Sequence, residues 1–169
     1  VMSEYYGGNE FYSSYSCIGS TTCNVGILDT PPILDYIFEF FDNDEKRELT
    51  NYLPQIKVTG CPNSCATPQI ARLGFSGRRK KDGEYFAIFA RGEFSGKTVK
   101  LNENLGEIKA NKIPYFLEDI ANIIKNENIE FEKFANEDRF LGLIEDYKEI
   151  EVENVDFNEF RKIDAEKAW

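Results

Sequence analysis

Apolar residues recur every three or four positions from Ile33 to Phe41, so that Ile33, Leu34, Ile37, Phe38 and Phe41 share one helical face. Thr30-Pro31-Pro32 stands in front of them. A capping hydroxyl followed by proline in the first turn predicts a helix start there. A second short helix is expected from Asp44, itself a possible cap, burying Leu49, Tyr52 and Leu53. Ile113, Phe116, Leu117, Ile120 and Ile124 predict a helix capped by Asn111 and running to about Asn126. Phe140, Leu141, Ile144 and Tyr147 predict a last helix near Glu137–Lys148, and Thr67-Pro68 reads as one more helix start. Strand character falls on Phe11–Cys17, Gln55–Thr59, Arg72–Gly77, Tyr85–Arg91 and Lys97–Leu101. Asp82-Gly83 signals a hairpin between the third and fourth of these, with a loop longer than two residues. The basic run Arg78-Arg79-Lys80-Lys81 falls in that loop, where it reads as a solvated turn or as a docking patch for an acidic carrier. Helices, then strands, then helices predict an α+β fold, a mixed β-sheet flanked by helices. Residues 1–10 read as a leader borrowed from a preceding segment, 11–148 as the folded domain and 149–169 as an acidic C-terminal tail.

Composition narrows the function classes. The chain has 169 residues, 41% of them hydrophobic and 14% aromatic, which suits a folded domain with its own core. Its net charge of −10 argues against nucleic acid as a partner, because phosphate binding needs a positive surface. Residues 126–169 carry −8 of that charge, so the rest of the chain is nearly neutral. No apolar stretch is long enough for a membrane span and no signal peptide is visible, so a cytoplasmic location is expected. Histidine is absent, which removes imidazole ligands and imidazole acid–base chemistry. Of the 14 Phe and 9 Tyr, most stand at core-like positions. Tyr5, Tyr6, Tyr12 and Tyr15 are harder to place, and a cofactor face or a missing half of a larger protein are the candidates for what they cover.

The four cysteines fall as Cys17-x5-Cys23 and Cys61-x3-Cys65. Two sequence-local pairs can close one metal site from two sides, as for an iron–sulfur cluster. Two disulfides, a structural zinc site and four unrelated core thiols are the other readings, although zinc usually draws on tighter pairs. Gly60 allows close backbone approach or positive φ, Pro62 fixes its own φ, and Asn63 tolerates left-handed backbone and offers an amide. An ordinary tight turn between strand and helix accounts for the same residues.

Ser16–Thr30 and Thr59-Gly60-Cys61-Pro62-Asn63-Ser64-Cys65 together resemble the sirohaem and [4Fe-4S] nitrite/sulfite reductase family. The resemblance continues through Ile70–Gly77 and Phe94–Pro114 and covers most of residues 10–148. It implies that Cys17, Cys23, Cys61 and Cys65 hold a [4Fe-4S] cluster. It also implies that Cys65 bridges to the sirohaem iron, as the catalytic and axial ligand, with Asn63 beside the cofactor. The implied activity is six-electron reduction of a small anion, nitrite to ammonia or sulfite to sulfide, with ferredoxin or a similar electron donor. The family has two pseudo-repeats, and this chain looks like the cluster-bearing half of the second. A missing N-terminal repeat and an inactive isolated fragment are therefore expected, the more so because Val1 precedes Met2. Residues 1–77 offer only Lys46, Arg47, Lys57 and Arg72 as cations for an anionic macrocycle. Ala66-Thr67 depart from the glycine and long polar residue that often follow the last cysteine in the family. A non-catalytic electron-transfer or redox-sensing module that keeps the cluster without sirohaem is the alternative.

Overall fold

A computed structural model describes residues 9–94 and 99–160. Five strands form one sheet in chain order: β1 (Tyr15–Ser16), β2 (Ile56–Thr59), β3 (Leu73–Lys80), β4 (Gly83–Ala90) and β5 (Glu103–Lys109). The β1–β2 and β2–β3 pairs are parallel, and β3–β4 and β4–β5 are antiparallel. A parallel neighbour needs a crossover connection. Between β1 and β2 it is provided by helix α1 (Thr30–Phe41) and the short α2 (Asp44–Arg47). Helices α3 (Ile113–Glu127), α4 (Phe131–Ala135) and α5 (Asp138–Glu149) follow the sheet. The result is the expected α+β fold with a mixed sheet.

The core follows from strand alternation. Val58, Phe75 and Ile88 stand in register across three strands and are fully buried, and Phe86 is paired with Ile108 beside them. The buried stripes of α1 (Ile33, Ile37, Phe41) and α3 (Phe116, Leu117, Ile120) belong to the same apolar cluster. All five apolar residues expected to line α3 are buried, whereas Phe38 on α1 packs only at the edge. Leu49 and Leu53 are buried, with Tyr52 against them. Phe140, Ile144 and Tyr147 turn inward on α5, and Leu141 is half-buried.

Several expectations are corrected. Phe11–Cys17 is a 3-10 turn at Glu10–Ser13 followed by a two-residue strand. Thr67-Pro68 opens only the three-residue 3-10 turn Pro68–Ile70, with Thr67 left-handed and its side chain capping nothing. Lys112, not Asn111, precedes α3. Asn43 caps α2 by accepting from the Lys46 N–H. Arg78, Arg79 and Lys80 belong to β3 rather than to a loop. The register runs to Lys80↔Gly83, so the hairpin loop is Lys81–Asp82, two residues, with Gly83 at φ 143°. Positive φ at such a turn is easy only for glycine. Of the expected strand Lys97–Leu101 the described residues show only a single antiparallel bridge, Lys100 to Glu93, with Val99 and Leu101 exposed beside it; Lys97 lies outside the described residues. The fifth strand is Glu103–Lys109 instead, its pattern broken by Gly106 at φ 140° where the register with β4 shifts.

Candidate metal centre

Both cysteine pairs sit on loops that leave the same end of the sheet. Cys17 follows β1 directly, and Gly60-Cys61 follow β2, its parallel neighbour. In a parallel ladder a residue donates its N–H to one strand and accepts, through its carbonyl, from two residues further along that strand. Cys17 N–H does donate to the Val58 carbonyl, at 2.9 Å. The Gly60 N–H, next in the ladder, instead reaches the Cys17 sulfur, at 3.2 Å. The Cys17 carbonyl accepts from the Thr30 hydroxyl, at 2.8 Å. A thiol has thus taken the place of a carbonyl at the end of the sheet.

Thr30 explains why. Asp29 occupies the cap position of α1 without a side-chain cap bond, and Thr30 is the first helical residue. Its hydroxyl is free to serve Cys17, and its oxygen also lies 3.3 Å from the Cys17 sulfur. The sulfur therefore stands at the positive end of a twelve-residue helix, where negative charge is favoured. Burial is the largest influence on Cys17 and pushes its thiol up. The Gly60 N–H on the sulfur, together with the polar groups of Thr30, Gly19 and Thr59 beside it, outweighs burial and holds the thiol below its ordinary value.

The rest of the first loop is pinned to the second. Ser20 N–H donates to the Leu28 carbonyl and Leu28 N–H to the Gly60 carbonyl, both at 3.0 Å. Cys23, half-buried, donates its N–H to the Gly19 carbonyl at 2.9 Å. Gly19 has φ 78°, and a Cβ there would meet Asp29 Oδ1 at 2.3 Å, so this corner admits only glycine. In the second loop Cys61 is 5% exposed, and the Ser76 hydroxyl lies 3.4 Å from its carbonyl. Cys65 is exposed. The left-handed positions are Ser64 (φ 58°) and Thr67 (φ 51°) rather than Asn63, which is exposed. Gln69 donates to the Ser64 hydroxyl at 2.7 Å and steadies the turn.

All four cysteines are free thiols. Among the described residues no three His, Cys, Asp or Glu side chains stand close enough to share one metal ion. A cubane asks for something else, since each thiolate takes a different iron and the four ligands stand apart. The donor set fits that group: four soft thiols on two loops at one sheet end, with a backbone N–H already aimed at one sulfur. The cations of residues 1–77 are engaged elsewhere. Lys46 pairs with Glu118, Arg47 with Asp42 and Arg72 with Glu10 and Glu132, while Lys57 lies over the Tyr15 ring. Arg78, Lys80, Lys109, Lys112 and Lys148 line a cavity of about 500 Å³ on the sheet. Tyr12 packs on Phe11 and Phe38, Tyr15 is exposed, and Tyr5 and Tyr6 lie outside the described residues. Sequence reasoning missed Thr30 and Thr59 as neighbours of Cys17. Thr59 is fully buried, and its hydroxyl is the one buried side-chain polar atom without a hydrogen-bond partner among the described residues. The row of strand residues running into Gly60 held the signal, since it sets Thr59 opposite Cys17.

The family model described as nitrite and sulphite reductase 4Fe-4S domain matches residues 7–147. The sulfite reductase (NADPH) hemoprotein beta-component of Oceanobacillus iheyensis is 29% identical over 136 residues, covering 77% of this chain and 21% of that protein. The protein of the same name from Bacillus subtilis is 33% identical over 103 residues, covering 56% of this chain and 17% of that one. The chain thus spans about a fifth of the length of the curated relatives it matches. In fold it is similar to the Mycobacterium tuberculosis NirA protein, with a TM-score of 0.54 at 21% identity over 75% of this chain and 26% of that one.

Proposed function

The chain belongs to the nitrite and sulphite reductase 4Fe-4S domain family, and on that footing we propose that it is the cluster-bearing part of a longer sirohaem-dependent reductase. Cys17, Cys23, Cys61 and Cys65 hold the [4Fe-4S] cluster. Cys65 doubles as the thiolate shared with the sirohaem iron, with Asn63 beside that cofactor. The observation that carries this reading is the junction of the two cysteine loops on adjacent strand ends, with the Gly60 N–H on the Cys17 sulfur. Burial supports a division of roles: Cys61 is sheltered by the domain, whereas Cys65 faces outward, where a group held partly by other segments can reach it.

Bound there, cluster and haem together store and deliver single electrons for the six-electron reduction of nitrite or sulfite. The chain's own residues favour the Cys17 thiolate, orient the ligand loops and exclude water from the Cys61 side. The remaining haem contacts and most anion-binding cations belong to the preceding repeat, and the electrons come from ferredoxin or a similar carrier. The isolated 169 residues therefore fold but do not turn over.

Anaerobically purified full-length protein tests the reading. It should contain iron, sulfide and sirohaem together, and Cys65→Ser should abolish both substrate reduction and cluster–haem coupling, while Cys17→Ser loses mainly the cluster. Iron and sulfide without sirohaem would make the protein an electron-transfer or redox-sensing module instead. Absence of all three sinks both.

A further inference from the structure

The Cys17 sulfur has an uneven set of partners once it becomes a thiolate. As a thiol it can give its proton to Thr30 Oγ1, 3.3 Å away. Thr30 cannot return the favour freely, because a hydroxyl has one proton and this one is committed to the Cys17 carbonyl, at 2.8 Å. The Gly60 N–H donates to the sulfur and the Gly19 backbone lies beside it, but no side-chain hydroxyl proton is committed to it. A metal-bound thiolate accepts more than one hydrogen bond, so a place is open. Thr59 stands beside it. The Cys17 N–H donates to the residue before Thr59, and the residue after Thr59 donates to the Cys17 sulfur, so Thr59 is bracketed by two contacts to the same cysteine. Its hydroxyl is buried and without a partner. Leaving a buried hydroxyl unbonded costs roughly 1–3 kcal/mol in general, so such orphans call for a reason.

We propose that Thr59 donates its buried hydroxyl to the Cys17 sulfur in the cluster-bound state, and so raises the reduction potential of the [4Fe-4S] cluster. This rests on the reading of Cys17 as a cluster ligand. Thr59 is a positioning and tuning residue here, acting on the cluster only through a ligand. The direction follows from charge: a hydrogen bond withdraws electron density from the thiolate, which favours the reduced, more negative cluster. Its loss moves the potential down.

The test uses the 169-residue chain loaded anaerobically with iron and sulfide, as wild type, Thr59→Val and Thr59→Ser. Valine keeps the shape and removes the proton; serine keeps the proton. In an EPR-monitored redox titration Thr59→Val should titrate at a more negative potential than wild type, and Thr59→Ser should lie close to wild type. Resonance Raman gives a second readout, in which the iron–thiolate stretching bands of Thr59→Val move to higher frequency. Coincident potentials and bands for wild type and Thr59→Val overturn the inference. If Thr59→Val folds by circular dichroism but no longer loads, retention of the cluster by Thr59→Ser supports it, and loss in both overturns it. A wild-type chain that takes up no iron and sulfide is a different failure, that of the cluster reading itself.

Discussion

Gly60 has no room for a side chain. An added Cβ would lie 2.4 Å from the Leu28 carbonyl oxygen, backbone against backbone, so neither partner can swing aside. Gly60→Ala should cost about 2 kcal/mol in urea denaturation and should reduce cluster uptake, because the two cysteine loops would be forced apart. Asn102 is a second residue of this kind. Buried, it accepts from the Gly92 N–H at 2.7 Å and donates to the carbonyls of Pro68 (2.9 Å) and Ala71 (2.7 Å), tying the β4–β5 connection to the segment after Cys65. Asn102→Ala strips three partners at once and should lower stability by about 3 kcal/mol, read from thermal melts. At this scale the cysteine motif and the need for Gly60 were legible in the sequence, since spacing and residue type carry them. Thr30 was legible only as a helix start. That its hydroxyl serves Cys17 depends on α1 folding back beside β1, thirteen residues away along the chain, which no local pattern records.

At the scale of elements, α5 is held by a lysine from another helix turn. Lys112 is 3% exposed, and its Nζ donates to the Tyr147 and Lys148 carbonyls, at 2.8 and 3.1 Å. The last carbonyls of a helix lack partners within it, so this buried ammonium ends α5. Lys112→Met keeps the stem but removes the donors. It should destabilise the domain by about 1–2 kcal/mol, with the loss concentrated in faster amide exchange over the last turn of α5. The long helices were legible because their apolar positions repeat at helical spacing over three turns or more. β5 was not, since Glu103–Lys109 is largely polar and Gly106 interrupts it; what makes it a strand is the partner edge of β4. The same edge draws Arg78–Lys80 out of the expected loop, because two-residue closure at Lys81–Asp82 leaves them paired with Gly83–Tyr85.

At the scale of the whole molecule, Arg72 links distant parts. It pairs with Glu10 near the start of the described chain and with Glu132 on α4, its Nη2 lying 2.8 Å from Glu132 Oε2. Burial, the largest influence, pushes the Glu132 carboxyl up, but the Arg72 hydrogen bond outweighs it and the net shift is downward. A carboxyl whose folded pKa lies below its unfolded one adds stability at neutral pH and loses it as pH falls through the folded value. Glu132→Gln should therefore cost about 0.5 kcal/mol at pH 7, kept small by partial exposure, and the gap to wild type should close well below pH ~4; urea titrations at both pH values check it. The α+β class was readable from element order, but the meeting of the cysteine loops is a property of the parallel β1–β2 pair, which only the folded chain contains. That pair is also the sheet's weakest edge, since β1 is two residues long and, among the described residues, has a neighbour on one side only. An occupant that binds only the closed arrangement of Cys17 and the Gly60 turn adds its binding free energy to that edge. Loading and edge order become one equilibrium: cluster loss frays the margin of the sheet and bares backbone donors and acceptors to a second copy of the chain. Oxidative damage to the cofactor would then be felt as self-association before any change in the core.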